Sequence, residues 1–330
     1  MADAAAAGGL PLVTIVVRSI GRASLHAALA SIALQDYPRI EVVVVAACGR
    51  ARHPPVAPTL GAHPVRVVGG EDWLDRPRAA NAGLDAAAGD WFTFLDDDDA
   101  LLAAHVSGLV EMAQRAQDAK VVYTLARARF SDGSVTSVGQ PFSLHEIHQR
   151  NFIHLSMALV ARELRDLGCR FDESLEILQD WDFFIQCAQH ARFHFEPRQT
   201  FEWRADVGSA GTGAGPNQDD ARFAVFRDRI YAKWAARYDA LVDRVTGRLS
   251  HAAELAKRGE LAAAEAACRD VLAWSQNDPF ALNLLAMVER AAGRIDDARA
   301  TQALACAVRP HDAALARNLA LLSKQPANVE

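Results

Sequence analysis

Between Gly89 and Leu102 the chain reads GDWFTFLDDDDALL, an apolar run that ends in four consecutive aspartates. Like charges about 4 Å apart repel by roughly 1 kcal/mol in water and about 4 near a protein surface. Such a run is therefore ordinarily a solvated face or a linker. Here Trp91, Phe92, Thr93, Phe94 and Leu95 lead into it, with the aromatic and β-branched make-up of a strand buried on both faces. Carboxylates at the end of such a strand stand where α/β proteins place ligands. A bound cation would remove their repulsion.

Positioning these acids requires a sheet, and the preceding sequence supplies one. Residues 12–17 (LVTIVV) and 40–45 (IEVVVV) read as buried strands. Between them Leu25, Leu29, Ile32 and Ala33 recur at helical spacing, and Asp36-Tyr37-Pro38 ends the helix. Strand, helix and strand in so few residues make a parallel βαβ unit. A strand at 64–68, a helix at 78–87, the strand at 91–95 and a helix at about 100–117 follow. Further strands are expected at 121–125 and 126–130. The first part of the chain is thus a doubly wound, mostly parallel α/β sheet. Residues 162–167 read as a short helix capped at Gly168. From about Asp219, Phe223, Phe226, Ile230 and Trp234 mark one face of another helix.

From about Ser250 the composition becomes rich in alanine. Gly259 and Gly293, Leu261 and Ile295, Asp278 and Asp312, and Leu285 and Leu319 are each 34 residues apart. A period of 34 with small residues at helix crossings resembles the tetratricopeptide repeat; an alanine-rich bundle without true repeats is the other reading.

Composition sets limits on partners. With 51% hydrophobic residues in 330, the chain can bury a large core and divides into about two domains. A net charge of −6 provides no basic field, which argues against nucleic acid as a ligand. Cys48, Cys169, Cys187, Cys268 and Cys306 are odd in number and lack C-x-x-C spacing, so reduced thiols are expected. The opening MADAAAAGGLP lacks the basic start of a secretory signal, and no window supplies the ~20 apolar residues of a transmembrane segment. These features predict a cytoplasmic protein.

Three blocks together, residues 12–45, RPRAANAGLDAAAGDWFTFLDDDDALL and LQDWDFF, resemble family 2 glycosyltransferases of the GT-A fold. The resemblance covers roughly residues 11–205. It implies a GT-A domain over 1–245, with a nucleotide-sugar half at about 11–125, an acceptor half at about 126–215 and a connecting helix at about 219–245. A tetratricopeptide-like helical domain would occupy 246–330. The implied activity is inverting, metal-dependent transfer of a sugar from a nucleotide-sugar, by default a UDP-sugar, to a hydroxyl of a glycan or protein acceptor. Asp96 and Asp98 match the D-x-D acids: Asp98 as ligand of Mg²⁺ or Mn²⁺, and Asp96 as a ribose or metal contact, with Asp99 assisting. Strand alternation turns Asp97 away, and Asp97→Ala is expected to retain most activity.

In the same resemblance Asp180 is the general base that takes the acceptor hydroxyl's proton; capping of the helix that follows is the alternative. Ser19, Arg22, Arg78 and Asn81 occupy nucleotide-facing loops, with a solvated role as the alternative for each arginine. Trp181 either stacks on a sugar or belongs to the core, and Asp182 fits a first-turn acid. His154 either reaches the acceptor or is a satisfied histidine, while Arg204 and Asp206 fall where the family closes over phosphate and metal. Gly208 to Gly215 read as a lid.

The chain departs from the family where Ala46 and Ala47 replace two acids after the second strand, and where Gln179 replaces a glutamate. The first departure leaves the nucleobase open. It also motivates a second reading, a catalytically degenerate domain that binds nucleotide-sugars or proteins as a scaffold. The repeats would then, or in addition, hold a protein partner or mediate self-association.

Overall fold

A computed structural model describes residues 9–206 and 219–324. The glycine-rich 208–215 lies outside the described residues. The chain divides into two compact units, one formed by Met1–Gly139 and Asn151–Ile230, the other by Gln140–Arg150 and Tyr231–Glu330.

In the first unit β1 (Val13–Ser19), α1 (Leu25–Ala33), β2 (Ile40–Ala46), β3 (Thr59–Leu60), β4 (His63–Val68), α2 (Arg76–Ala86) and β5 (Trp91–Asp96) follow in order. β6 (Ala100–Leu101), α3 (His105–Arg115), β7 (Ala119–Arg129) and β8 (Val135–Val138) come next. After an excursion into the second unit by α4 (Leu144–Ile147), the first unit resumes with a 3₁₀ turn at Leu155–Met157 and β9 (Ala158–Ala161). α5 (Arg162–Asp166), α6 (Gln179–Ala188) and β10 (Arg192–Arg204) complete it. The strand order is β3-β4-β2-β1-β5-β9-β7-β10-β6, with β8 on β7. β4, β2, β1 and β5 run parallel, whereas β9 lies antiparallel between β5 and β7.

The strand winding reverses at β1, which has β2 on one side and β5 on the other. Such a switch point opens a crevice at the strands' carboxyl ends. α2 is pressed onto this crevice's floor: a Cβ at Gly83 would lie 2.2 Å from Val16 Cγ1. The glycine of R-x-x-N-x-G is therefore a close-approach residue. An aromatic stack joins β5 to α6, with Phe171 on Phe183 at 4.4 Å and nearly parallel, and Phe94 edge-on to Phe171 at 5.4 Å. It fixes the helix carrying Asp180 against the strand carrying Asp96.

Two expected elements differ. The two strands at 121–130 are one, β7, because its β-branched residues and alanines continue to pair with β10 throughout. The helix after the aspartates starts only at His105, since Ala100 and Leu101 first pair with Glu202 and Phe201.

In the second unit α7 (Asp220–Lys257), which begins in the first unit, continues without a break and is followed by α8 (Leu261–Trp274), α9 (Pro279–Ala291), α10 (Ile295–Val308) and α11 (Ala313–Ser323). The 34-residue period is structural. Gly259 and Gly293 both adopt left-handed φ, +80° and +82°, after a helix. Asp278 and Asp312 each cap the next helix by accepting two backbone N–H groups. Small residues at the crossings allow close packing, as in the buried layers Leu255–Ala264–Val288 and Ala252–Cys268–Leu285. No helix among the described residues is long and apolar enough to cross a membrane.

Candidate active site

Register places the first charges. Arg18 stands opposite Asp96 across the parallel β1–β5 ladder, so their side chains share a face. Arg18 Nε and Nη2 donate to the two Asp96 oxygens at 2.8 Å each, a bidentate pair. Asp97 turns the other way, into the β1–α1 loop. It is 1% exposed and accepts hydrogen bonds from Ser19 Oγ and Ile20 N at 2.9 Å and from Arg22 Nη1 at 2.5 Å. Asp97 is thus separate from the other acids, as alternation requires. Its carboxylate holds the loop carrying Ser19 and Arg22, a structural role that strand alternation alone does not suggest.

Asp96, Asp98 and Asp99 offer oxygens that all lie within 4.8 Å of one another. Arg22 Nη1 reaches Asp98 at 3.3 Å, and Asp99 accepts the Arg204 backbone N–H at 3.0 Å. Burial would push Asp96 up, but the Arg18 and Arg76 guanidiniums hold it below the usual carboxylate range. Burial raises Asp98, and the Asp96 charge adds to the rise. Asp99 is pushed well up by burial and by repulsion from both neighbours.

A cavity of about 370 Å³ opens beside these acids, lined in part by Arg18, Ser19, Arg22, Arg76, Asp96 and Asp98. Arg76 is the residue that sequence reasoning missed. Burial lowers its pKa against the attraction of Asp96, Asp180 and Asp98, and no hydrogen bond or ion pair engages its guanidinium among the described residues. Its position before Pro77 at a helix start carries no local signal of such a role. At the rim, Arg222 pairs with Glu176 at 2.7 Å.

Asp180 does not cap α6; Leu178, in the left-handed region at φ 61°, holds that position. Asp180 instead accepts hydrogen bonds from Asn151 Nδ2 at 3.1 Å and from the Trp181 backbone at 2.9 Å. His154 lies near both Asp96 and Asp180. Burial lowers its pKa although those two acids favour its protonated form. Its Nδ1 accepts from Ser156 N at 3.2 Å, which puts the ring proton on Nε2, and its ring stacks on Phe201 at 5.0 Å.

Other expected residues lie apart from the cavity. Asn81 clamps the Phe171 backbone through both ends of its amide, at 2.9 and 3.0 Å, and Arg78 faces Glu173 at 3.3 Å. Trp181 is 2% exposed and belongs to the core. Asp182 is buried and accepts from Gln186 at 2.7 Å. Asp206 accepts from the backbone and hydroxyl of Ser131, at 2.8 and 2.5 Å. Arg204 meets the acidic group through its backbone.

Residues 13–158 match the family model described as glycosyl transferase family 2. An uncharacterized glycosyltransferase of Haemophilus influenzae is 25% identical over 189 residues, covering 55% of this chain and 64% of the relative. The succinoglycan biosynthesis protein ExoO of Rhizobium meliloti is 29% identical over 192 residues, covering 52% of this chain and 54% of the relative. The matches therefore span less than two thirds of these curated relatives. Among solved structures, a mannosyltransferase from Pyrobaculum calidifontis in complex with GDP-Man and Mn²⁺ superimposes with a TM-score of 0.50, at 19% identity, over 97% of this chain and 89% of that one.

Proposed function

We propose that this chain, whose residues 13–158 match the family model described as glycosyl transferase family 2, transfers a sugar, with inversion, from a nucleoside-diphosphate sugar to a hydroxyl of a glycan or protein acceptor. The observation that carries this reading is the Asp96, Asp98 and Asp99 group beside a cavity that also holds arginines. The three donors are hard oxygen ligands, and Asp98 and Asp99 are raised by burial and by the Asp96 charge, so the set fits Mg²⁺ or Mn²⁺. When bound, such a cation acts as a Lewis acid toward the departing diphosphate. Arg76 adds positive charge in the same cavity and, with no hydrogen bond or ion pair on its guanidinium among the described residues, is available to phosphate oxygens. Arg18 holds Asp96 in place, and Asp97 fixes Arg22.

Asp180 is the proposed general base. One of its oxygens is held by Asn151, which orients the carboxylate. A single displacement at the anomeric carbon inverts its configuration. GDP-mannose with Mn²⁺, found on the structural neighbour, and a polysaccharide acceptor, suggested by the name of the Rhizobium relative, are the first ligands to try. We read the helical repeats as tetratricopeptide-like and as a surface for a protein partner or a second copy, in a cytoplasmic enzyme.

A nucleotide-sugar-binding scaffold without turnover is the second reading, favoured by the Arg18 pair that already engages both oxygens of Asp96. Donor turnover across a panel of nucleotide-sugars with added Mn²⁺ separates the two. Turnover that falls about 10²-fold or more in Asp180→Asn, with donor binding retained, supports the transferase. Binding without turnover in the wild type supports the scaffold. A wild type that binds no nucleotide-sugar contradicts both.

A further inference from the structure

Trp73, between β4 and α2, is 57% exposed yet lines the cavity beside the acids. An indole left so open withholds from burial one of the largest apolar side chains a protein has. The backbone that presents it is nonetheless fixed. Arg50 N donates to Gly70 O and Leu74 N donates to Ala47 O, both at 2.8 Å. Gly49, at φ +88°, lets the Glu71 carbonyl approach so closely that a Cβ there would lie 2.3 Å from it. The tryptophan is thus tied to the exit of β2, where the chain lacks the expected acids.

At that exit Ala46, Ala47 and Cys48 offer no strong hydrogen-bonding side chain to read the edge of a base. Ala46 and Ala47 are apolar and at most 3% exposed, and Cys48 is 6% exposed. Several polar groups elsewhere on the lining are engaged. Asp75 accepts the Arg78 backbone N–H, Glu176 pairs with Arg222, and Ser19 Oγ is shared between Asp97 and His53. The cavity therefore combines a charged region matched to a diphosphate with an aromatic face that carries no hydrogen-bond code.

We propose that Trp73 is the platform on which the donor's nucleobase stacks, and that this chain selects the diphosphate while tolerating different bases. Every base offers a π-face, so stacking is indifferent to base identity. This rests on the transferase reading above. It goes further by assigning base recognition to a residue outside the motifs and by making that recognition loose.

The test is calorimetric titration of the full chain, with Mn²⁺, against UDP, GDP, ADP and inorganic pyrophosphate. The three nucleotides should bind within about thirtyfold of one another, since stacking alone separates bases weakly. Trp73→Ala, at an exposed position, should weaken all three by about ten- to a hundredfold, the worth of one base–aromatic stack, and leave pyrophosphate unchanged. Trp73→Phe should restore most of the loss. A wider preference for one base overturns the proposal, as does Trp73→Ala binding nucleotides like the wild type or weakening pyrophosphate equally. If the wild type binds no nucleotide, the transferase reading fails first.

Discussion

In the helical unit the buried Asp278 is fully occupied: Phe280 N and Ala281 N donate to one oxygen at 3.0 Å, and Ser275 Oγ to the other at 3.3 Å. Glu146, also buried, faces Arg309 at 2.7 Å and Arg150 at 3.4 Å. At the strand ends of the sheet unit, Asp96, Asp98 and Asp99 instead face one another, with burial and like charge acting together on Asp98 and Asp99. A carboxylate satisfied by N–H groups or arginines builds the fold. Carboxylates turned toward each other beside a cavity repel one another, and a bound cation would relieve what the neighbouring arginines leave. The contrast distinguishes the two groups of acids by their partners, since burial is common to both.

The largest expected break in this comparison is in activity. Asp98→Asn should cost about a hundredfold or more in turnover while leaving thermal stability equal or higher, because it removes a repelled charge. Asp278→Ala should do the reverse, lowering stability by about 1 kcal/mol through loss of the cap and leaving donor turnover near wild type. Thermal melts and turnover on the same preparations check both.

Asp97→Ala sharpens the distinction within the aspartate run. It leaves Ser19 Oγ, the Ile20 N–H and Arg22 without their acceptor, and it should destabilise by about 1–3 kcal/mol and raise the donor KM. Equal melting temperatures and an unchanged KM would return Asp97 to the dispensable role that strand alternation alone suggested.

A smaller effect concerns two buried histidines. Desolvation holds the buried His105 at about 3, and in the helical unit lowers His145 to about 4. Both are neutral in the fold, whereas the unfolded chain takes up protons below about 6.5. Their stabilising contribution is therefore complete above pH 6.5 and is lost as pH falls from there toward 3 and 4 respectively. His105→Gln should flatten the decline of stability between pH 6.5 and 4. A decline identical to wild type in denaturant titrations would contradict this.

The sheet was legible because its strands are unbroken β-branched runs, and the helices of the second unit because Gly259 and Gly293 end helices while Asp278 and Asp312 begin them. Asp96 and Asp98 were legible because acids following a buried strand have few structural uses. What escaped depends on distant partners. The Arg18–Asp96 pair follows from register between strands 78 residues apart. Asn81 was placed toward the nucleotide by its neighbours in sequence, yet its partner is the Phe171 backbone, 90 residues on. The excursion of 140–150 into the helical unit rests on contacts such as Asn277 Nδ2 to Phe142 O at 2.7 Å, which no local pattern announces.

The central claim is that the acids at the end of β5 hold a cation that helps bind a nucleotide. Calorimetric titration of UDP and GDP into wild type and Asp98→Asn, each with Mn²⁺ and with a chelator, tests it most directly. The account predicts that Mn²⁺ tightens nucleotide binding at least about tenfold in the wild type and has no effect in Asp98→Asn. Equal affinity with and without Mn²⁺ in the wild type, or the same Mn²⁺ effect in both proteins, would contradict it.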